Sequence, residues 1–155
     1  MRPFRPAWWL AGPHLQTLWA SLVRRPTLPE LRDERLELSD GDFLDIKWLD
    51  AGETDAPLVF IFHGLQGSIE SPYIGRTLNA LKERGLRGLF LHFRSCGGEP
   101  NRLARGYHAG ETGDIAHVIR TVHEREPETL LGAMGFSLGG NALLKHLGEA
   151  QGETL

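Results

Sequence analysis

A single cysteine, Cys96, stands among 155 residues. That excludes an internal disulfide framework and any metal site built on paired thiols; a reducing compartment suits such usage, so the chain is expected in the cytoplasm. Positive charge is not in excess either. Lys and Arg number 17 against 20 Asp and Glu, a formal net charge of −3, which supplies no basic field for a phosphate backbone. Nucleic acid is therefore not expected as a partner. Long apolar runs are also lacking: no stretch approaches the roughly 20 residues of a membrane span, and Ala7 to Gly12 is too short for a signal h-region before Pro13 and His14 interrupt it. What is abundant is glycine (19) and proline (9) in an otherwise ordinary globular composition with 41% hydrophobic residues, which predicts one domain with tight loops.

Pro3, Pro6, Pro13, Pro26 and Pro29 are interspersed with Trp8, Trp9 and Trp19. This predicts an irregular arm over residues 1–30, buried against a larger body over 31–155; contact of the tryptophans with a membrane surface is the alternative. From Arg35 the pattern changes. Leu36 and Leu38 alternate with polar residues, as do Leu44, Ile46 and Trp48, and Asp40-Gly41 between them predicts an antiparallel hairpin. Leu58 to Phe62 is a continuous apolar run, as expected of a strand covered on both faces. Ser71-Pro72 supplies a helix start, with Ser71 as N-cap and Gly85 at the far end, and the spacing of Ile74, Leu78 and Leu81 predicts a helix from about Pro72 to Arg84. Leu89 to Leu91 is the next buried strand. Ile115, Val118, Ile119 and Val122 mark a second helix, with Glu111 and Asp114 at its positive end. Thr129 to Phe136 is a third buried strand, and Leu138 to about Glu149 a third helix. Such alternation demands a mostly parallel sheet with helices on both faces, preceded here by the hairpin.

Gly135-Phe136-Ser137-Leu138-Gly139 is a G-x-S-x-G pentapeptide at a strand-to-helix junction, where it predicts a nucleophile elbow. A serine at the tip of so sharp a turn leaves no room for side chains at positions 135 and 139, and the helix N-terminus aims N–H groups at developing negative charge. The bland alternative is a Gly-rich turn whose serine only caps the helix. His63-Gly64-Leu65 follows the first buried strand, where the backbone N–H of Leu65 would join that of Leu138 in an oxyanion hole. His63 is expected to order its loop by hydrogen bonding and not to act as the base. His14, His92, His108, His117 and His123 are scattered and read as structural or solvated residues, Cys96 as a bystander. No metal or other cofactor is expected.

Five stretches, Pro13 to Thr17, His63 to Gly67 with Ser71-Pro72-Tyr73, Arg94 to Asn101, Tyr107 to Thr112, and Gly135 to Asn141, together resemble the YheT-type α/β-hydrolases. These are serine esterases related to eukaryotic abhydrolase-domain lipases and acyltransferases. The order matches over nearly the whole chain, although Arg94-Ser95-Cys96-Gly97-Gly98 stands where Arg-Gly-Cys-Ser-Gly is expected in near relatives. The resemblance implies an α/β-hydrolase fold and a Ser-Asp-His triad with Ser137 as nucleophile, acting on a small-molecule or lipid-like ester. In this fold the acid and the histidine follow the nucleophile. After Ser137 come His146, Glu149 and Glu153, and His146 lies along a helix leading away from the elbow. The acid and base of the triad are thus expected to be absent, and the chain to be the N-terminal portion of a hydrolase whose C-terminal half is missing, with a bare apolar edge on the Ser137 strand. A serine without its base predicts little activity for the 155 residues alone. Acyl transfer to an alcohol through the same acyl-serine, a non-catalytic scaffold, and a dinucleotide-binding turn around Gly132, Gly135, Gly139 and Gly140 are the alternatives. The last lacks the G-x-G-x-x-G fingerprint.

Overall fold

The computed structural model describes residues 4–22, 27–51 and 53–150; Pro3, Pro26 and Glu153 lie outside them. In chain order the elements are α1 (Pro13–Leu22), β1 (Arg32–Glu37), β2 (Phe43–Leu49), β3 (Leu58–Phe62), α2 (Pro72–Lys82), β4 (Arg87–Leu91), α3 (Gly113–Arg125), β5 (Leu131–Gly135) and α4 (Leu138–Glu149). Among the described residues the five strands form one sheet in the order β1-β2-β4-β3-β5. β1 and β2 pair antiparallel through the expected hairpin, closed by Gly41 at φ +86°, a conformation that glycine adopts without steric cost. β2 runs antiparallel to β4, whereas β3 runs parallel to both β4 and β5.

Apolar side chains from alternate strand positions build a core on each face of the sheet. On one, Phe60, Phe62, Leu89 and Leu91 pack with Ile115, Val118, Ile119 and Val122 of α3 and Ala142 and Leu143 of α4. On the other, Ile61 and Phe90 pack with Ile74, Leu78 and Leu81 of α2. The helices therefore cover both faces, as the alternation of patterns requires. α2 closes on Gly85 at φ +65°: the Leu86 N–H donates to Leu81 O and the Gly85 N–H to Lys82 O, each at 3.0 Å, which is a Schellman turn.

Four expectations need correction. The arm is not wholly irregular. No proline interrupts the chain between Pro13 and Pro26, and Pro13 sits at the first helical position, where its fixed φ favours a helix; α1 follows, with the Gln16 N–H donating to Gly12 O at 3.1 Å. Nor are the tryptophans buried against the body, since Trp8 is 90% and Trp9 43% exposed and Trp9 packs edge-to-face on Trp19 at 4.7 Å. Ser71 makes no side-chain cap, because its hydroxyl accepts the Ser68 N–H at 3.1 Å. Finally, β5 is half-exposed, not buried: within the described sheet it lies at an edge with β3 as its partner.

Candidate active site

β3 and β5 lie side by side in register, Phe62 against Gly135, so the turns at their C-terminal ends are neighbours. At the end of β5 the Phe136 N–H donates to Phe62 O at 2.9 Å, and the chain then reverses into α4 at Ser137, whose φ is +51° and ψ −115°. A non-glycine residue in this region costs about 1–3 kcal/mol and persists only where its surroundings enforce it. The enforcement is steric. A Cβ on Gly139 would lie 2.4 Å from His63 O, and one on Gly135 would lie 2.5 Å from Gly140 Cα, so two backbones cross at contact distance and hold the serine outward. Ser137 is exposed, and its N–H-bearing neighbour Leu138 opens α4.

The turn after β3 lies against the turn at Ser137: a Cβ on Gly64 would sit 3.3 Å from Ser137 Cβ and 3.8 Å from the Tyr73 hydroxyl. Residues 64–67 close through the Gly67 N–H, which donates to Gly64 O at 3.0 Å, with Gln66 held at φ +51°. Leu65 caps the turn and is 70% exposed. The structure thus brings Ser137, Leu65 and Leu138 into one locality.

His63 is fully buried. Its Nε2 accepts the Phe93 N–H at 3.1 Å, so the proton resides on Nδ1, which donates to Gly64 O at 2.6 Å. Burial lowers its pKa, opposed by the Gly64 hydrogen bond, and both ring nitrogens are engaged. It orders the loop and is not free to take a proton, as the sequence reading holds. His92 is also buried, with Nδ1 lacking a partner among the described residues, and burial together with the nearby His63 and Lys47 pushes its pKa down to about 4. His146 lies in the last turn of α4. Among the described residues no group of three or more His, Cys, Asp or Glu is arranged to hold a metal ion, and no helix is long and apolar enough to cross a membrane.

Sequence reasoning missed two sets of residues here. Arg94, 3% exposed, forms a two-pronged pair with Asp114 (2.9 and 2.8 Å) and reaches Asp40 and Asp42 at 2.8 and 3.0 Å, tying the hairpin turn to the start of α3. Tyr73 and Tyr107 hold the 64–67 turn: the Tyr73 hydroxyl accepts the Gly64 N–H at 3.3 Å and the Tyr107 hydroxyl the Gln66 N–H at 2.5 Å. Burial, and after it the neighbouring Cys96, raises the pKa of the Tyr107 hydroxyl. Both tyrosines lie in stretches that the sequence had singled out, but hydroxyl-to-amide bonds leave no pattern of residue types by which to find them.

No family model matches the chain. It is 43% identical over 84% of its length to the Escherichia coli protein named "Putative esterase YheT", of which it spans 39%. It is 28% identical over 97% of its length to the phospholipase ABHD3 of Homo sapiens, again spanning 39%. Among solved structures, an esterase from Pyrococcus furiosus matches 82% of this chain with a TM-score of 0.65 at 20% identity, over 54% of its own length. A mouse α/β hydrolase domain-containing protein 10 matches 79% with a TM-score of 0.58 at 20% identity, over 46% of its length. The chain therefore has a partial α/β-hydrolase fold and spans about two fifths of the curated relatives it matches.

Proposed function

We propose, for a chain that belongs to the YheT-type α/β-hydrolases and spans about two fifths of their length, that Ser137 is the nucleophile of a serine esterase. The observation that carries this reading is the strained, exposed Ser137 at the strand-to-helix turn, held there by backbone crossings that only glycines 135 and 139 permit. That geometry is the nucleophile elbow, and a serine that merely capped a helix would have no need of it. Ser137 Oγ attacks the carbonyl carbon of a carboxylic ester, small-molecule or lipid-like, as its proton passes to a histidine. The tetrahedral oxyanion accepts the N–H groups of Leu65 and Leu138, and collapse expels the alcohol and leaves an acyl-serine, which water then hydrolyses. Both nitrogens of His63 are engaged, so we assign the base and its acid partner to the length of the relatives that these residues do not span. Acyl transfer to an alcohol would use the same intermediate.

The test uses the whole gene product carrying this sequence. It is expected to hydrolyse p-nitrophenyl esters and to be labelled by a fluorophosphonate at Ser137. Ser137→Ala should abolish labelling and lower kcat about 10⁴-fold or more. Unchanged hydrolysis by Ser137→Ala, or no labelling of the unaltered protein, overturns the reading and leaves a scaffold without this chemistry.

A further inference from the structure

The 64–67 turn owns four backbone amides, and three have acceptors: Gly64 N–H on Tyr73, Gln66 N–H on Tyr107, and Gly67 N–H on Gly64 O. Among the described residues Leu65 N–H is the one with no such bond. Its isolation is built, because the turn is unfavourable by itself: Gln66 sits in the left-handed region at φ +51°, where a non-glycine residue needs external support. Each hydroxyl that supplies the support is fixed in turn. Tyr107 stacks on Phe93 at 5.0 Å with rings 3° from parallel and meets His63 edge-on at 5.9 Å. Tyr73 packs on Phe136, the residue before Ser137, at 4.5 Å. Tyr73 thereby joins the turn to the elbow, and Tyr107 joins it to the loop after β4.

We propose that Tyr73 and Tyr107 are positioning residues of the active site, which bracket the turn after β3 so that the Leu65 N–H alone is left to receive the oxyanion. This rests on the reading of Ser137 as nucleophile and of Leu65 N–H as an oxyanion donor. Each hydroxyl acts through an amide of the turn, Gly64 for Tyr73 and Gln66 for Tyr107. Losing a hydroxyl frees the neighbouring amide and lets the turn relax, so the Leu65 N–H moves away from where negative charge develops, and a donor preorganised for the transition state is weakened there more than in the ground state.

The experiment compares Tyr73→Phe and Tyr107→Phe with the unaltered whole gene product. Each variant should lower kcat about tenfold to a hundredfold, below the full cost of deleting an oxyanion donor, with KM within about threefold. Affinity for a trifluoromethyl ketone, which forms a tetrahedral oxyanion on serine, should fall by the same factor as kcat/KM. Residue-resolved hydrogen exchange should become faster at Gly64 in Tyr73→Phe and at Gln66 in Tyr107→Phe. A lowered kcat with unchanged ketone affinity overturns the proposal, and so does full kcat in both variants. Should a variant fail to fold, exchange in the unaltered protein decides: fast Leu65 between slow Gly64 and Gln66 supports the bracket, and a Leu65 as slow as its neighbours refutes it. Activity that survives Ser137→Ala instead refutes the nucleophile reading, while the exchange pattern still reports on the bracket separately.

Discussion

Two glycines of α4 behave as opposites under the same change. A methyl group on Gly139 meets His63 O and Phe62 O at 2.4 and 2.5 Å, whereas one on Gly148 meets nothing within 4 Å. Gly139→Ala must push α4 off β3, and its cost is expected at the upper end of overpacking, about 3 kcal/mol or more. Gly148→Ala should be neutral or stabilising by up to about 1 kcal/mol, because it removes backbone freedom from the unfolded chain. Urea denaturation of the two variants checks both signs. The requirement for a small residue at 139 was legible in the sequence, since a G-x-S-x-G at the end of an apolar run carries its own steric logic. The proton position on His63 was not, because it follows from an amide 30 residues away at Phe93.

Between elements, the strongest ties are ionic and buried. Arg94 holds Asp114 at the start of α3 and Asp40 and Asp42 of the hairpin turn, and Asp42 also accepts Asn101 Nδ2 and the Arg102 N–H. Replacing Arg94 by Met would leave the buried carboxylates of Asp42 and Asp114 unpaired, with an expected loss of about 3–5 kcal/mol, measurable by chemical denaturation. Burial by itself would raise the Asp42 carboxyl, but its hydrogen bonds and Arg94 outweigh burial and bring it to about 2. A carboxyl held below its unfolded value stabilises the fold above about pH 4, and that contribution fades as the pH falls towards 2. Asn101→Ala should therefore weaken the protein at neutral pH and lose, near pH 2, the share of that deficit owed to Asp42, while the share from its bonds to the Ser95 N–H and Phe43 O remains; urea denaturation at the two pH values checks this. These partners are 20 to 60 residues apart in sequence, so no local pattern announced them. α2, α3 and α4, by contrast, were legible in their periodicity, and α1 was obscured by counting prolines over thirty residues when the interval after Pro13 is free of them.

For the molecule as a whole, two neutral histidines set the mild-acid behaviour. Burial lowers both His63 and His92, the latter to about 4, so between about pH 6.5 and 4 the unfolded chain binds at His92 a proton that the folded chain refuses, and His63 acts in the same direction. Stability should fall with decreasing pH over that window, by up to about 1.4 kcal/mol per pH unit for His92. His92→Asn should flatten the fall in melting temperature between pH 7 and 5; an unchanged slope would assign it elsewhere. The architecture itself was legible because apolar runs and helical periods alternate. The bare edge on the Ser137 strand was legible too, whereas the reading of that strand as buried was not met, since Leu131 to Gly135 reads the same whether one neighbour or two lie beside it. That strand order also has a consequence in time. β3 receives its neighbours from β4 and β5, both later in the chain, so during synthesis the apolar segment Leu58–Phe62 waits for its second partner through roughly 70 further residues, about 4 to 15 s at usual elongation rates. Codon choice between positions 63 and 135 thus governs how long the strand beneath the site stands open to a chaperone or to another nascent chain.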